Sequence, residues 1–554
     1  MINHTGAADR RGLSVWLWRV AVPPVGIGLW YLVYQLGVTS RVLLPSPRAV
    51  WDAGLQLHHS GVLWPNLWST ISAALGALAL SAIVGIPLGV LLGMLPRTWA
   101  VLAPYLNAVN SMPRIALAPV FLVAFGIGQN SKIALGFSIA FFIFLMNARI
   151  GVLSTDEEYL KVCAVLGASR SQLFRKLYVP VAIPAIFTAL RLGMVFALLG
   201  VVGSEIIASR AGVGQLITTY SATLSMAPVY ALLTVLAIFT SILTMLVGAL
   251  EGALLGWQRA DRARGRPGIR TPQTRAEQAS ASTSPLVTVH DGAAATLRTG
   301  RRVVQFRSVS VEFALRGSPP HPVLSNFSMT IPSGQFVAIV GASGVGKSTL
   351  LNVVSGLTPI TSGDITVFDD PPRAGRADVG HMFARDALLP WRTARRNVEL
   401  SLELQGSAAS VRHERALQML DLVHLSSAAD RYPSQLSQGM RQRVALARTL
   451  ASDPELLLMD EPFAALDALT RSSIRDMFLD IWDNEVHRKT ILFVTHDLTE
   501  ALVLADRVVT LARGGVRTDV EVPYGRPRDQ RALMARADYR ALYDRLQADL
   551  AAED

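Results

Sequence analysis

Two short stretches of the chain carry side chains whose types and spacing fit phosphate chemistry. The first is Gly341-Ala342-Ser343-Gly344-Val345-Gly346-Lys347-Ser348-Thr349, a complete GxxxxGK[ST] loop between the apolar run QFVAIV and the helix-like run STLLNVVSGL. Its glycines let the backbone curl until its N–H groups face phosphate oxygens at a helix N-terminus. Lys347 then reaches the β- and γ-phosphates, and the Ser348 hydroxyl is placed to ligate Mg2+. A chance Gly-rich turn would lack the strand before it, the Lys-Ser pair and the helix after it, and all three are present. The second stretch, Leu456-Leu457-Leu458-Met459-Asp460-Glu461, reads as a buried strand ending in two carboxylates. Asp460 is suited to hold the metal, and Glu461 to orient or deprotonate an attacking water.

The elements that position these groups follow from pattern. After residue 300 the chain alternates short β-rich runs (VVQFRSVSVEF, FSMTI, QFVAIVG, LLLMD, TILFVTH) with amphipathic stretches, which predicts an α/β domain with a largely parallel sheet over 301–554. Before residue 258 the text is different. A bilayer needs about 20 apolar residues per helix, and such segments lie near 16–37, 67–95, 99–126, 131–149, 180–207 and 228–256, the third interrupted by Pro113 and Arg114. An all-α membrane domain of six spans is therefore expected over 1–258, with both ends on one side of the lipid bilayer. The apolar run after MINHTGAADRRGL is too long for a signal peptide and reads as a retained span.

The 554 residues exceed what one core supports, and 51% hydrophobic against 17% charged is a membrane-protein balance. The mean hydropathy of +0.36 agrees. The formal charge of +11 gathers beside the spans and in the stretch 259–300, rich in Arg, Ser, Thr, Ala and Pro, which predicts a disordered basic linker facing anionic lipid and not a nucleic-acid surface. Basic residues such as Arg97, Arg149, Lys161, Arg170, Arg175 and Lys176 fall on one side of the spans, while only Arg41, Arg48, Lys132 and Arg210 fall on the other. The richer side is cytoplasmic by the positive-inside rule, so both termini and the α/β domain should face the cytoplasm of a bacterial inner membrane. Cys163 is the only cysteine, which excludes an intrachain disulfide and a cysteine metal cluster.

With the phosphate loop and the strand-end acids in place, the segment Leu436-Ser437-Gln438-Gly439-Met440 followed by RQRVALART resembles the signature of the ATP-binding-cassette family. The resemblance implies that ATP is bound between two subunits, Ser437 and Gly439 closing over the γ-phosphate held by the partner, which makes a homodimer the economical assembly. It further implies Phe313 as the adenine-stacking aromatic, Ala465-Leu466-Asp467 as the subunit-interface loop, and His496 in VTHD as the histidine on the γ-phosphate. A lone His after a strand is ordinarily structural, and its place downstream of the two acids favours the ligand role. One departure stands out. Where the family has a glutamine touching Mg2+ and the attacking water, VGHMFARDALLPW places Ala384, and slower hydrolysis or looser coupling is expected.

The membrane half resembles the permeases of binding-protein-dependent importers in Lys161-Val162-Cys163-Ala164-Val165-Leu166-Gly167-Ala168-Ser169-Arg170, followed by QLFRKLYVP. In that family this loop, here near 156–178, is a coupling helix that docks on the ATPase, with Gly167 at its turn. SMPRIALAPVFLVAFGIGQNSKIALG and ALLPWRTARRNVEL are similar to the nitrate, sulfonate and taurine branch, whose small, mostly anionic solutes arrive on an external binding protein. Asn107, Asn110 and Asn147 lie inside spans, where interhelical hydrogen bonding and solute contact are both open, the first favoured. Two rival readings remain on the sequence: a half-transporter of exporter type, and a membrane-anchored ATPase that senses without transporting.

Overall fold

The computed structural model describes residues 6–38, 40–255, 301–313, 321–464, 468–483, 489–512, 515–526, 528 and 530–551. The linker expected over 259–300 and the interface loop Ala465-Leu466-Asp467 lie outside the described residues. The chain forms two compact units: Met1–Thr155 with Tyr178–Gly256, and Asp156–Leu177 with Trp257–Asp554. The second grouping is informative, because a stretch interrupting the membrane half belongs structurally to the cassette.

Among the described residues four helices are long and apolar enough to cross a bilayer: Leu63–Met94, Gln129–Leu153, Arg170–Ile207 and Met226–Leu254. Pro96–Ser111 and Arg114–Phe125 make a fifth if the pair, bent by 80°, counts as one span. The break falls where the sequence required it. Met112 precedes Pro113 and is extended (φ −67°, ψ 138°), since a residue before proline is pushed out of the helical region. The first expected span falls within the helix Gly6–Gln35, and its side chains up to residue 20 lie outside the described residues.

Three of these helices meet through small residues, as expected where lipid removes the hydrophobic drive for helix association. A Cβ on Gly85 would stand 2.9 Å from the Phe144 Cβ, and one on Gly200 would stand 2.8 Å from the Gly136 Cα. The backbones approach too closely there for any larger residue.

The cassette has two sheets. β1 (Arg302–Phe313), β2 (His321–Pro332) and β4 (Ser362–Val367) form a small antiparallel sheet in the order β2-β1-β4. The larger sheet has the order β5-β6-β7-β3-β8-β9. Its strands are β3 (Phe336–Val340), β5 (Val379–Met382), β6 (Leu456–Asp460), β7 (Thr490–Thr495), β8 (Arg507–Ala512) and β9 (Gly515–Glu521). All its pairings are parallel except β8 with β9. Every residue of β3, β5 and β7 is buried, the pattern of a parallel sheet covered on both faces, and Phe336 packs edge-on against Phe478, Trp482 and Phe493. The order β6-β7-β3 matters most for chemistry, since the phosphate loop, the two acids and His496 leave the C-terminal ends of three adjacent strands.

Candidate nucleotide site and its coupling segment

The phosphate loop turns at Gly344 (φ +90°) and Gly346 (φ +105°), conformations that side chains disfavour, and a Cβ on Gly346 would also stand 2.9 Å from Val323. Lys347 opens the helix Lys347–Val354 and is buried, its Nζ donating to the carbonyls of Gly341 (2.7 Å) and Ala342 (2.8 Å). The ammonium thus lies along the loop it must serve. Val345 is packed inside, whereas Ser343 and Ser348 are exposed and Thr349 is half-buried in the first helical turn.

The Ser348 hydroxyl donates to Asp460 Oδ1 at 3.0 Å. Burial raises the Asp460 pKa, the Ser348 hydrogen bond opposes this, and neighbouring Glu461 adds to the rise. A half-buried carboxylate held beside a hydroxyl by such a balance gains from an arriving cation, and both side chains offer hard oxygens of the kind Mg2+ prefers. Among the described residues no group of three or more His, Cys, Asp or Glu is arranged for a metal.

Glu461 has φ +41°, a region costly for a residue with a Cβ, and is pinned by its own N–H donating to Val494 O at 2.9 Å. Its Oε2 lies 3.1 Å from His496 Nδ1. The parallel register of β6 with β7 and of β7 with β3 therefore unites Gly341–Thr349, Asp460, Glu461 and His496. It does not unite all the expected residues. Phe313 is at the end of β1, 46% exposed, and Ser437 caps a different helix, Gln438–Leu450, its Oγ accepting from Met440 N at 3.3 Å. Gly439 is buried in that helix's first turn. Asp467 lies outside the described residues.

Ala384 is exposed just after β5 and brings no polar side-chain atom to that position. Its loop is strongly held. Arg448, fully buried, donates to Asp386 O and Ala387 O at 2.9 Å each, and Arg441 pairs with Asp386 at 2.7 Å. Asn397 accepts from Leu389 N and donates to Leu389 O, Arg392 O and Thr393 O. Neither Arg448 nor Asn397 stood out in the sequence, for they bind backbone and carry no motif.

The same loop receives the segment Asp156–Leu177. Asp156 caps the helix Glu157–Val165 by accepting from Glu158 N, and Val162 and Val165 pack on Phe383 and Ala387 while Tyr159 meets Trp391 edge-on. The chain then turns at Gly167 (φ +77°), where a Cβ would stand 3.2 Å from Gly375, itself at φ +87°. Ala168 N donates to Cys163 O, and Ser169 forms a capping box with Gln172, whose Nε2 reaches Leu404 O at 3.0 Å. Lys176 pairs with Glu403 at 2.8 Å. Although burial opposes it, hydrogen bonds from Arg392 and Lys176 hold the Glu403 carboxyl below its usual range. Cys163 is buried and its thiol is pushed up to about 11 by that burial, so it is an inert core residue here.

The membrane unit holds a polar cluster that was not singled out from the sequence. Glu205, buried, pairs with Lys132 at 2.9 Å, accepts from Thr70 Oγ1 and accepts from Gly214 N. Lys132 also donates to Ser69 Oγ and Ala211 O, and Val213 N donates to Thr70 Oγ1. A glutamate inside the apolar run VVGSEII was the available signal. Among the described residues the interhelical bonding favoured for the asparagines is not found: Asn147 donates to Ile143 O of its own helix, Asn110 accepts from Arg114, and Asn107 is exposed. A short amide on a helix reaches its own preceding turn more easily than a neighbouring helix.

Two families match the chain. Residues 85–255 match the binding-protein-dependent transport system inner membrane component, and residues 324–464 match the ABC transporter family. An uncharacterized ABC transporter ATP-binding protein of Methanocaldococcus jannaschii is 43% identical over 212 residues, 38% of this chain and 79% of that protein. A nitrate import ATP-binding protein of Synechococcus elongatus is 39% identical over 255 residues, covering 45% and 91%. An aliphatic sulfonates import ATP-binding protein of Mesorhizobium japonicum is 42% identical over 229 residues, covering 41% and 83%. The chain therefore belongs to the ABC transporter family, with an importer-type permease and its ATPase fused in one polypeptide. It is a membrane-integral protein that couples ATP hydrolysis to solute import, and the exporter reading falls with the match over 85–255.

Proposed function

We propose that the chain is half of a homodimeric importer of a small anionic solute, handed over by an external binding protein at a bacterial inner membrane. The division into a permease of six spans over 1–258, a linker over 259–300 and an ATPase over 301–554 belongs to this reading, as do cytoplasmic termini. The observation that carries it is the grouping of Asp156–Leu177 with the cassette, seated on the loop after β5 that leads from the nucleotide site.

Within each dimer site, backbone N–H groups of the phosphate loop and Lys347 hold the ATP phosphates, and Phe313 stacks on adenine. Ser348 and Asp460 hold Mg2+, which supplies charge neutralisation for the phosphoryl group. Glu461 orients the attacking water and takes its proton, and His496, fixed against Glu461, contacts the γ-phosphate. Ser437, Gly439 and Asp467 complete the partner's site. Closure is passed through Ala384's loop to Gly167, Ala168 and Ser169, and from there to the spans. The nitrate and sulfonate importers among the relatives support an oxyanion as solute.

The test is ATPase activity of the full chain in nanodiscs, with binding proteins loaded with nitrate, sulfonates or taurine, and Glu461→Gln as blank. Stimulation by one loaded protein establishes import and names the solute. Activity indifferent to all of them returns weight to a sensing ATPase.

A further inference from the structure

Four of the described cations in the membrane unit, Lys132, Arg191, Arg149 and Arg114, differ in what compensates them. Lys132 is paired with Glu205 and Arg191 with Glu251. Arg149 lies about one turn from the end of Gln129–Leu153 and sits over the Trp99 ring at 3.7 Å. Like Arg149, Arg114 has a ring and no carboxylate, but it meets the neighbouring Gln129–Leu153 far from that helix's ends. It stands at the break between Pro96–Ser111 and Arg114–Phe125, and among the described residues no carboxylate pairs with it.

Its position is nonetheless fixed. The guanidinium lies over Phe142, 4.5 Å from the ring centroid, and Nη1 donates to Ile139 O at 3.1 Å, near the middle of Gln129–Leu153. Nη2 donates to Asn110 O at 3.1 Å and to Asn110 Oδ1. Three acceptor oxygens therefore serve a group with five N–H donors. The residues around the break, Asn110, Ser111, Met112 and Ile115, are exposed, and Pro96–Ser111 buries no residue in this chain.

A fixed cation at mid-span without a counter-charge is costly, and broken helices at that depth are tolerated where they line a cavity. The guanidinium fork matches an oxyanion with two terminal oxygens. We propose that Arg114, positioned by Asn110 and Ile139, is the contact in the translocation path that takes the anionic group of the solute, which acts as its transient counter-charge. This rests on the reading of the solute as an oxyanion.

The experiment uses the full chain in nanodiscs and follows its thermal unfolding against increasing nitrate, bicarbonate, methanesulfonate and taurine at constant ionic strength. Acetamide is the neutral control, and the variants are Arg114→Gln and Arg114→Lys. The expected result is a saturable upward shift with at least one oxyanion and none with acetamide. That response should be weakened about tenfold or more in Arg114→Gln, and less in Arg114→Lys, which keeps the charge and loses the fork. The size-exclusion profile should match that of the parent protein. Equal oxyanion response in parent and variants overturns the role of Arg114 and leaves oxyanion import standing. No response to any oxyanion, together with stimulation by a binding protein carrying a neutral solute, overturns both. If Arg114→Gln does not fold, Arg114→Lys decides: unchanged affinity there refutes the fork.

Discussion

The nucleotide site and the membrane unit place their charges by opposite rules. In the cassette the reacting groups lie at the ends of three neighbouring strands, each within a short run that is recognisable alone: a glycine loop with its lysine, a strand ending in two acids, a strand ending in histidine. In the membrane unit Glu205, Lys132 and Thr70 come from three different helices, and none belongs to a local motif. Chemistry performed by backbone N–H groups demands local conformation, so it leaves a local signature. Charge compensation in a low-dielectric interior demands only that a partner arrive, from anywhere in the chain.

The comparison is sharpened first by Glu461→Gln, which should lower ATP turnover by roughly a hundredfold or more while nucleotide binding persists, as measured by steady-state phosphate release and by labelled-nucleotide binding. Comparable turnover in the variant would shift the base to another group and break the local rule. Next in size is Glu205→Gln. It leaves Lys132 buried with its charge uncompensated, and should cost about 3 to 5 kcal/mol of stability. The double change Glu205→Gln with Lys132→Met should recover much of that loss in thermal unfolding. Strictly additive losses would mean that the two side chains are not a pair.

Within the cassette, His381 shows the alternative to compensation, a buried group that stays neutral. It is buried, stacked on Phe383 at 4.1 Å, and neither ring nitrogen has a hydrogen-bond partner. Burial, and then the charge of Lys161, push its pKa down to about 3. Below about pH 6.5 the unfolded chain takes up a proton that the folded one refuses, so stability falls as the pH drops toward 3, by up to about 1.4 kcal/mol per unit. His381→Phe should flatten that slope in unfolding curves compared between pH 7.5 and 5, and an unchanged slope would place the acid sensitivity elsewhere.

Two changes at the joint between site and coupling segment should have smaller effects on the ATPase itself. Gly375→Val forces a side chain against Gly167, and should leave basal hydrolysis within a few-fold of the parent while abolishing stimulation by a loaded binding protein. Stimulation that survives would deny this contact any part in coupling. Ala384→Gln restores a polar group beside the site and should raise hydrolysis by a few-fold. Identical rates and identical transport would refute the idea that Ala384 slows hydrolysis or loosens coupling.

Much of this protein was written in its order of residues. The phosphate loop needs φ values that glycine tolerates, Pro113 forbids a continuous helix, and the all-apolar run of β3 and the predominantly apolar runs of β6 and β7 suit a doubly covered sheet. These follow from steric and solvation rules acting over a few residues. The pairing of Lys132 with Glu205, the reach of Arg114 to Ile139 O, the anchoring of the Ala384 loop by Arg448, and the meeting of Gly167 with Gly375 were decided only in three dimensions. Each depends on two backbones, distant in sequence, arriving within hydrogen-bond or van der Waals range, and no local pattern encodes that arrival.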